Sequence, residues 1–274
     1  MRFKAFTLAE VLITLGIIGV VSAMTIPTLL SNTNSQHFRA MFKKTLSTLN
    51  QAGRMAQARH DINYGLTMDT CGENAKTENL ETTYSFCAIL NGTLSGAHYI
   101  GKPQNYTIEM YDYTFTPENM IAYSLSDGAM VMFYDVAGGC SGKDSPQCLG
   151  FIDVNGKGRP NKLISCDDPQ LNVAEVGSCK VSADNKHMTD VYPVLFMPDS
   201  VEPASPAARA VILNTETETA GVLNRPNSGQ GNTLCGLKVA GCSACNSCFR
   251  NGFDKASLMD KAQRQGVDLG KFRH

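Results

Sequence analysis

The sequence predicts an α+β fold: a long N-terminal helix, membrane-spanning in its first half, packs its second half on an antiparallel sheet head with disulfide-braced loops. Three observations predict it. No Asp, Glu, Lys or Arg occurs from Val11 to Phe38, and apolar residues then recur at helical spacing as far as Ala56. Beyond Asp61, short alternating apolar runs separated by Gly, Asn and Asp replace that stripe. All ten cysteines fall between Cys71 and Cys248. Helix first and strands afterwards is the element order of an α+β domain.

The helix comes first. Val11 to Leu30 is almost wholly aliphatic, and about 20 residues at a rise of about 1.5 Å span a hydrocarbon core of roughly 30 Å. Arg2 and Lys4 stand on its short side, where cytoplasmic charges are expected. A long following domain crosses the membrane largely regardless of Arg39, Lys43 and Lys44. The apolar rod then runs into an amphipathic stripe of Phe38, Met41, Phe42, Thr45, Leu46, Leu49, Ala52, Met55 and Ala56 at three- and four-residue steps. Pro27 removes a helical hydrogen bond. Because the stripe resumes at Phe38, the expectation there is a kink or short melted stretch, not a helix end. Glu10 opens the apolar run, and a carboxylate costs roughly 2.5 to 3.5 kcal/mol at mid-membrane, so its presence marks a functional residue.

Composition alone leaves other readings of this end open. Arg2 and Lys4 could be the n-region and Val11 to Val20 the h-region of a signal peptide cut after Val21-Ser22-Ala23. That would release a secreted disulfide-rich binding domain. A plain anchor carrying an exported enzyme is a further reading.

The residues AFTLAEVLITLGIIGVVSAMTIP resemble the N-terminal cleavage and methylation motif of type IV pilins and type II secretion pseudopilins. The match covers roughly the first 60 residues, under a quarter of the chain. Phe6 sits at the first mature position, Glu10 four residues later, and Gly19 and Pro27 at the family's helix-softening positions. The resemblance implies a leader over 1–5, cut by prepilin peptidase between Ala5 and Phe6, with N-methylation of Phe6. The family usually has Gly before the scissile bond, and Ala5 stands here. It further implies a transmembrane assembly helix over 6–60, an extracytoplasmic head over 61–274, and single-pass residence in the inner membrane before assembly into a periplasmic or cell-surface filament. The implied partners are other pilin or pseudopilin subunits, prepilin peptidase, the inner-membrane assembly machinery and membrane lipid. Glu10 of one subunit would meet the charged terminal amine of a neighbour's Phe6; within one chain the two also stand a helical turn apart, so the same pairing is open there.

The head is then read from its local patterns. Asn105 to Thr116 alternates as a strand. Asn119 to Leu125 and Ala129 to Val136 flank Asp127-Gly128, a hairpin signal. Phe151 to Val154, Val191 to Met197 and Ala210 to Leu213 are further strand candidates. Four prolines between Tyr192 and Ala207 and a polar, Gly-rich stretch make about 198–232 loop-dominated, separating a small Cys-rich C-terminal element over 233–274. The charged stretch Asp254 to His274 reads as a short helix and frayed tail.

Cysteine usage agrees with export, since disulfides persist outside the cytosol. Cys71, Cys87, Cys140, Cys148, Cys166, Cys179, Cys235, Cys242, Cys245 and Cys248 are all disulfide candidates; connectivity stays open, with short local loops expected first. The last four have spacings at which thiolates converge on a metal or cluster, but exported thiols oxidise and no His completes a zinc set. Asp153-Val154-Asn155-Gly156-Lys157-Gly158 begins like a calcium loop, yet Lys157 occupies a ligand position and Ile164 stands where a bidentate Glu is needed. An Asn-Gly hairpin turn explains the same residues. Some pseudopilins carry calcium in the head, so the resemblance keeps Asp153 as a calcium candidate; no other cofactor is expected.

Enzyme signatures do not emerge. Gly142-Lys143 lacks the leading Gly and the following Ser or Thr of a phosphate loop, no G-x-S-x-G elbow occurs, and the five histidines are scattered. With 24 Lys and Arg against 25 Asp and Glu, the overall charge offers no basic face for nucleic acid. The chain therefore reads as a structural subunit, not a catalyst.

Overall fold

The computed structural model describes residues 7–110, 113–135, 149–165, 177–181, 188–198, 200–213 and 217–220. Its elements in chain order are α1 (Leu8–His60), α2 (Phe86–Thr93), β1 (His98–Gly101), β2 (Ile108–Met110), β3 (Tyr113–Phe115), β4 (Met120–Ser124), β5 (Met130–Tyr134), β6 (Leu149–Asp153), β7 (Gly177–Lys180), β8 (Val191–Phe196), β9 (Val201–Pro203), α3 (Pro206–Leu213) and β10 (Thr217–Ala220). A six-stranded sheet runs β1-β4-β5-β6-β8-β9, every neighbouring pair antiparallel. Two small ribbons, β2-β3 and β7-β10, stand beside it.

The 53 residues of α1 form one helix, about 80 Å long at the usual rise. It passes through Pro27 as continuous helix. As expected the helix does not end there, and of the kink or melted stretch foreseen the melted stretch does not form. At its far end Asp61 adopts φ 55° as a left-handed cap, its N–H donating to the Gln57 carbonyl.

Only the second half of α1 meets the head. Phe42, Thr45, Leu46, Leu49, Ala52 and Ala56, all in the apolar stripe, are buried, and the helix packs on α2, β6 and β9. Phe42 stacks on Tyr192 of β8 with ring centroids 4.2 Å apart. Gly53 admits Tyr64, since a Cβ there would lie 2.8 Å from the ring, and the Tyr64 hydroxyl donates to the Leu49 carbonyl at 3.0 Å. Asn50 reaches the outermost strand: its Nδ2 donates to the Val201 carbonyl at 2.9 Å, and the Val201 N–H donates to its Oδ1 at 2.8 Å. One helical side chain thus satisfies backbone groups that an edge strand would leave open.

The Asp127-Gly128 hairpin forms as expected between β4 and β5. The Gly128 N–H donates to the Leu125 carbonyl at 3.0 Å, and Gly128 takes φ 87°, which glycine adopts without steric cost. Asp127 also reaches Lys44 of α1 at 3.0 Å. β6 and β8 form where strands were expected.

Four expectations need correction. Asn105 to Thr116 is not one strand but the β2-β3 hairpin, Ile108 pairing Phe115. Ala210 to Leu213 belongs to α3: with Ala207, Ala208 and Ala210 fully buried, good helix formers fill a close contact that a strand pattern does not demand. The described part of the region expected to be loop-dominated contains β9, α3 and β10, while 221–232 lie outside the described residues. Asn155-Gly156 turns the chain, with Gly156 at φ 67°, but closes no hairpin, because β6 pairs with β8 from much later in the chain.

Candidate functional site

The residues singled out at the N-terminus converge on the solvent-facing first half of α1. Leu8–Pro27 is long and apolar enough to cross a membrane, and none of it is buried against the rest of the chain. Leu8 is 81% exposed and Met24 73%, a cost in water that a soluble domain avoids by covering such residues. Two of its hydroxyls are turned onto the helix itself. Thr14 Oγ1 donates to the Val11 carbonyl at 2.9 Å, and Thr25 Oγ1 to the Val21 carbonyl at 3.0 Å. Such internal bonds are what a segment in hydrocarbon requires.

Glu10, the one charged residue between Leu8 and Pro27, has a local partner. Thr7 is the N-cap: its backbone N–H and its hydroxyl each donate to Glu10 Oε2 at 2.9 Å, and the Glu10 N–H donates to Thr7 Oγ1 at 3.3 Å. This is a capping box, satisfying donors that the helix start leaves free. The Thr7-to-Glu10 spacing was visible in the sequence as that signature. A Cβ on Gly16 or Gly19 would meet nothing within 4 Å, so both backbones are open to approach. Pro27 lies inside the helix near the end of the apolar segment. Ala5 and Phe6 lie outside the described residues.

Of the cysteines, Cys71 and Cys87 form a disulfide closing a short local loop, with a Cα–Cα distance of 5.6 Å and a sequence separation of 16. Cys179 contributes backbone to β7. Cys140, Cys148, Cys166, Cys235, Cys242, Cys245 and Cys248 lie outside the described residues, as does the 233–274 element. Glu78 braces the bridged loop: Oε1 accepts from the Gly72 N–H and Oε2 from the Ser85 hydroxyl, each at 2.5 Å. Asn91 Nδ2 donates to the Ala75 carbonyl at 2.7 Å and the Glu78 carbonyl at 3.0 Å. Cys71, Glu78 and Cys87 place their ligand atoms within 4.8 Å of one another. With both sulfurs spent on the S–S bond no thiolate is present to bind an ion. Replacing both cysteines by serine is expected to cost about 3 kcal/mol for a loop near this length, read as a lowered denaturant midpoint; a loss below about 1 kcal/mol would mean that the Glu78 brace holds the loop without the bridge.

Asp153 is fully buried at the end of β6, close to a second fully buried carboxyl, Asp190, just before β8. The Asn155 N–H donates to Asp153 Oδ1 at 3.1 Å and the Tyr106 hydroxyl donates to Oδ2. Asp190 accepts the Asn161 N–H at 2.9 Å and the Lys162 N–H at 2.6 Å. Both oxygens of each carboxyl are thus held by protein donors. Burial, reinforced by the charge of Asp190, pushes the Asp153 carboxyl up to about 8 against these hydrogen bonds. Burial also raises Asp190. The sequence points to Asp153 through a calcium pattern; Asp190, far along the chain, carries no such signal, because only the β6-β8 register brings the two together.

No family model, curated protein or solved structure matches the chain.

Proposed function

We propose that the chain is a filament-forming subunit of the type IV pilin or type II pseudopilin kind, processed by prepilin peptidase between Ala5 and Phe6 and polymerised through the first half of α1. The observation that carries this reading is the unbroken helix from Leu8 to His60: an uncovered membrane-length half continues without interruption into a half buried in the head. A segment destined only for export needs no rigid continuity with the domain it leads. A subunit held first by lipid and then by its neighbours needs both halves as one rod. The open backbones at Gly16 and Gly19 admit close helix–helix approach, and Glu10 offers one carboxylate to a partner's cation inside the apolar layer. In this reading the chain waits in the inner membrane with its head outside, and the assembly machinery transfers it to the filament. Other subunits and lipid are its partners; the head carries no catalytic role.

The mature N-terminus tests it. Mass spectrometry of the protein purified from membranes should find a chain beginning at N-methylated Phe6. A chain beginning at Met24 would reject the proposal in favour of a secreted domain released after Ala23, since the segment proposed to polymerise would be gone.

A further inference from the structure

The second half of α1 and the loop after it carry opposite charges that the chain itself leaves uncombined. Between Glu10 and Asp61 the helix has five cations, Arg39, Lys43, Lys44, Arg54 and Arg59, and no acid. The loop 61–85 has five carboxylates, Asp61, Asp69, Glu73, Glu78 and Glu81, against Lys76 alone. Arg54, Asp69, Glu73 and Glu81 are exposed, and Arg39 and Lys43 are half-buried. Lys44 is taken by Asp127, and Glu78 by the bridged loop. Among the described residues, Arg39, Arg54, Glu73 and Glu81 make no ion pair.

Both surfaces also have what a contact needs beside charge. Leu66, Met68 and Tyr84 are 46%, 66% and 41% exposed, and with Leu213 they are the large apolar residues that the described head leaves open. They are held in one place: the Met68 and Asp69 N–H groups donate to the Tyr84 carbonyl at 2.8 and 3.2 Å, and the Tyr84 N–H donates to Asp69 Oδ2 at 3.2 Å. On α1 the exposed positions Ala40, Lys44, Ser47, Gln51, Arg54 and Ala58 follow one another at three- and four-residue steps. They form a face opposite the buried stripe, and its small side chains let another surface come close.

We propose that the loop 66–84 of one copy docks on this uncovered face of α1 in the next copy, Glu73 and Glu81 facing Arg39, Lys43 and Arg54, and the Leu66-Met68-Tyr84 patch covering Ala40 and Ser47. The inference rests on the filament reading and names the contact outside the membrane that such a filament uses. The partner is a second copy because the cations that complement the loop stand on this same chain. The Tyr64 hydroxyl bonds the Leu49 carbonyl, so the loop starts level with Leu49, about 15 Å along the rod from Arg39. A parallel neighbour displaced along the axis by a few helical turns brings its cations to that level. A contact between two different patches is heterologous and repeats without closing, which builds a fibre.

Charge reversal tests this in the full chain expressed as the only copy. Glu73→Lys with Glu81→Lys should lower the yield of sheared surface fibres at least about tenfold, because like charges then face each other. Arg39→Glu with Arg54→Glu should do the same. All four changes together exchange the signs and should return the yield to within about threefold of wild type. An unchanged denaturant midpoint in detergent assigns each loss to assembly. Should a variant unfold, wild type decides. A carbodiimide, which joins a carboxylate to an amine as an amide and carries off the water as a urea, should link Lys43 or Lys44 to Glu73 or Glu81 in fibres and not in detergent-dispersed monomer. Normal yield from either pair, fibres without that link, or the same link in the monomer would overturn the docking and leave the filament reading in place. So would an arginine pair whose loss the four changes do not repair, since those cations would then serve another surface such as lipid headgroups. A mature chain that starts at Met24 and makes no fibres removes the filament reading, and the docking with it.

Discussion

Replacing Phe86 with alanine is expected to remove about 3 to 5 kcal/mol of stability from the head, a large share of what a domain of this kind has to lose. Phe86 opens α2 and is 1% exposed. Its ring lies 5.2 Å from that of Tyr64, 5.0 Å from Phe133 of β5 and 5.2 Å from Phe196 of β8. The three partners come from the turn after α1 and from two strands separated in the sheet by β6, so one side chain joins the helical layer to the sheet. The contacts are tilted, stacked and edge-on in turn, and such aromatic pairs add to area burial. The site also has little room to collapse: at Gly150 of β6, next to it, a Cβ would lie 2.6 Å from both the Phe196 ring and the Met132 carbonyl oxygen. A cavity that cannot close keeps its full cost. Denaturant titration of the full chain in detergent, wild type against Phe86→Ala, measures it. A loss under about 1 kcal/mol would mean that α2 is not part of the same cooperative unit as the sheet.

The second large effect concerns Glu10 and rests on the proposed function. Glu10→Ala is expected to leave membrane insertion and cleavage at Ala5-Phe6 intact while reducing filament yield, as the only copy, by at least about tenfold, equivalent to about 1.4 kcal/mol. The charge in an apolar layer needs a cation, and alanine removes the attraction without reducing hydrophobicity. The capping box gives Glu10 a second role, because its carboxylate also bonds Thr7 within its own chain. Glu10→Gln separates the roles: glutamine can close the same capping box but carries no charge. If both variants fail to enter sheared surface fibres, the charge is what assembly uses. If only alanine fails, capping is what matters. Normal yield from both would reject the assembly role, and loss of insertion or cleavage would place Glu10 in targeting.

Much of α1 was legible because its determinants are local. Twenty residues without a compensating polar face state a membrane-length helix whatever domain is attached to it, and the three- and four-residue spacing of Phe42, Leu46, Leu49, Ala52 and Ala56 names the buried face before any partner is known. The Asp127-Gly128 turn was legible for the same reason, since its conformation is decided within four residues. Elsewhere local pattern was ambiguous. Phe86 to Leu90 is a run of apolar residues all buried, so it has no exposed face to reveal a period, and only the Ser85 N-cap, whose Oγ accepts the Ala88 N–H, marks it as helix. Ala210 to Leu213 misled because a continuous apolar run of four residues carries no period, and only its packing as part of α3 decides it.

What the tertiary structure alone decided is which distant groups share a neighbourhood. The meeting of Asp153 with Asp190 and Tyr106 depends on strand register, and the reach of Asn50 to Val201 on how α1 lies against the outermost strand. None of these is encoded in any local window. Residue type and spacing determine the periodicity of a single element, because its hydrogen bonds close within a few positions. The coincidence of side chains from separate elements is set by packing, where the whole core chooses one arrangement among the many that the same local patterns allow.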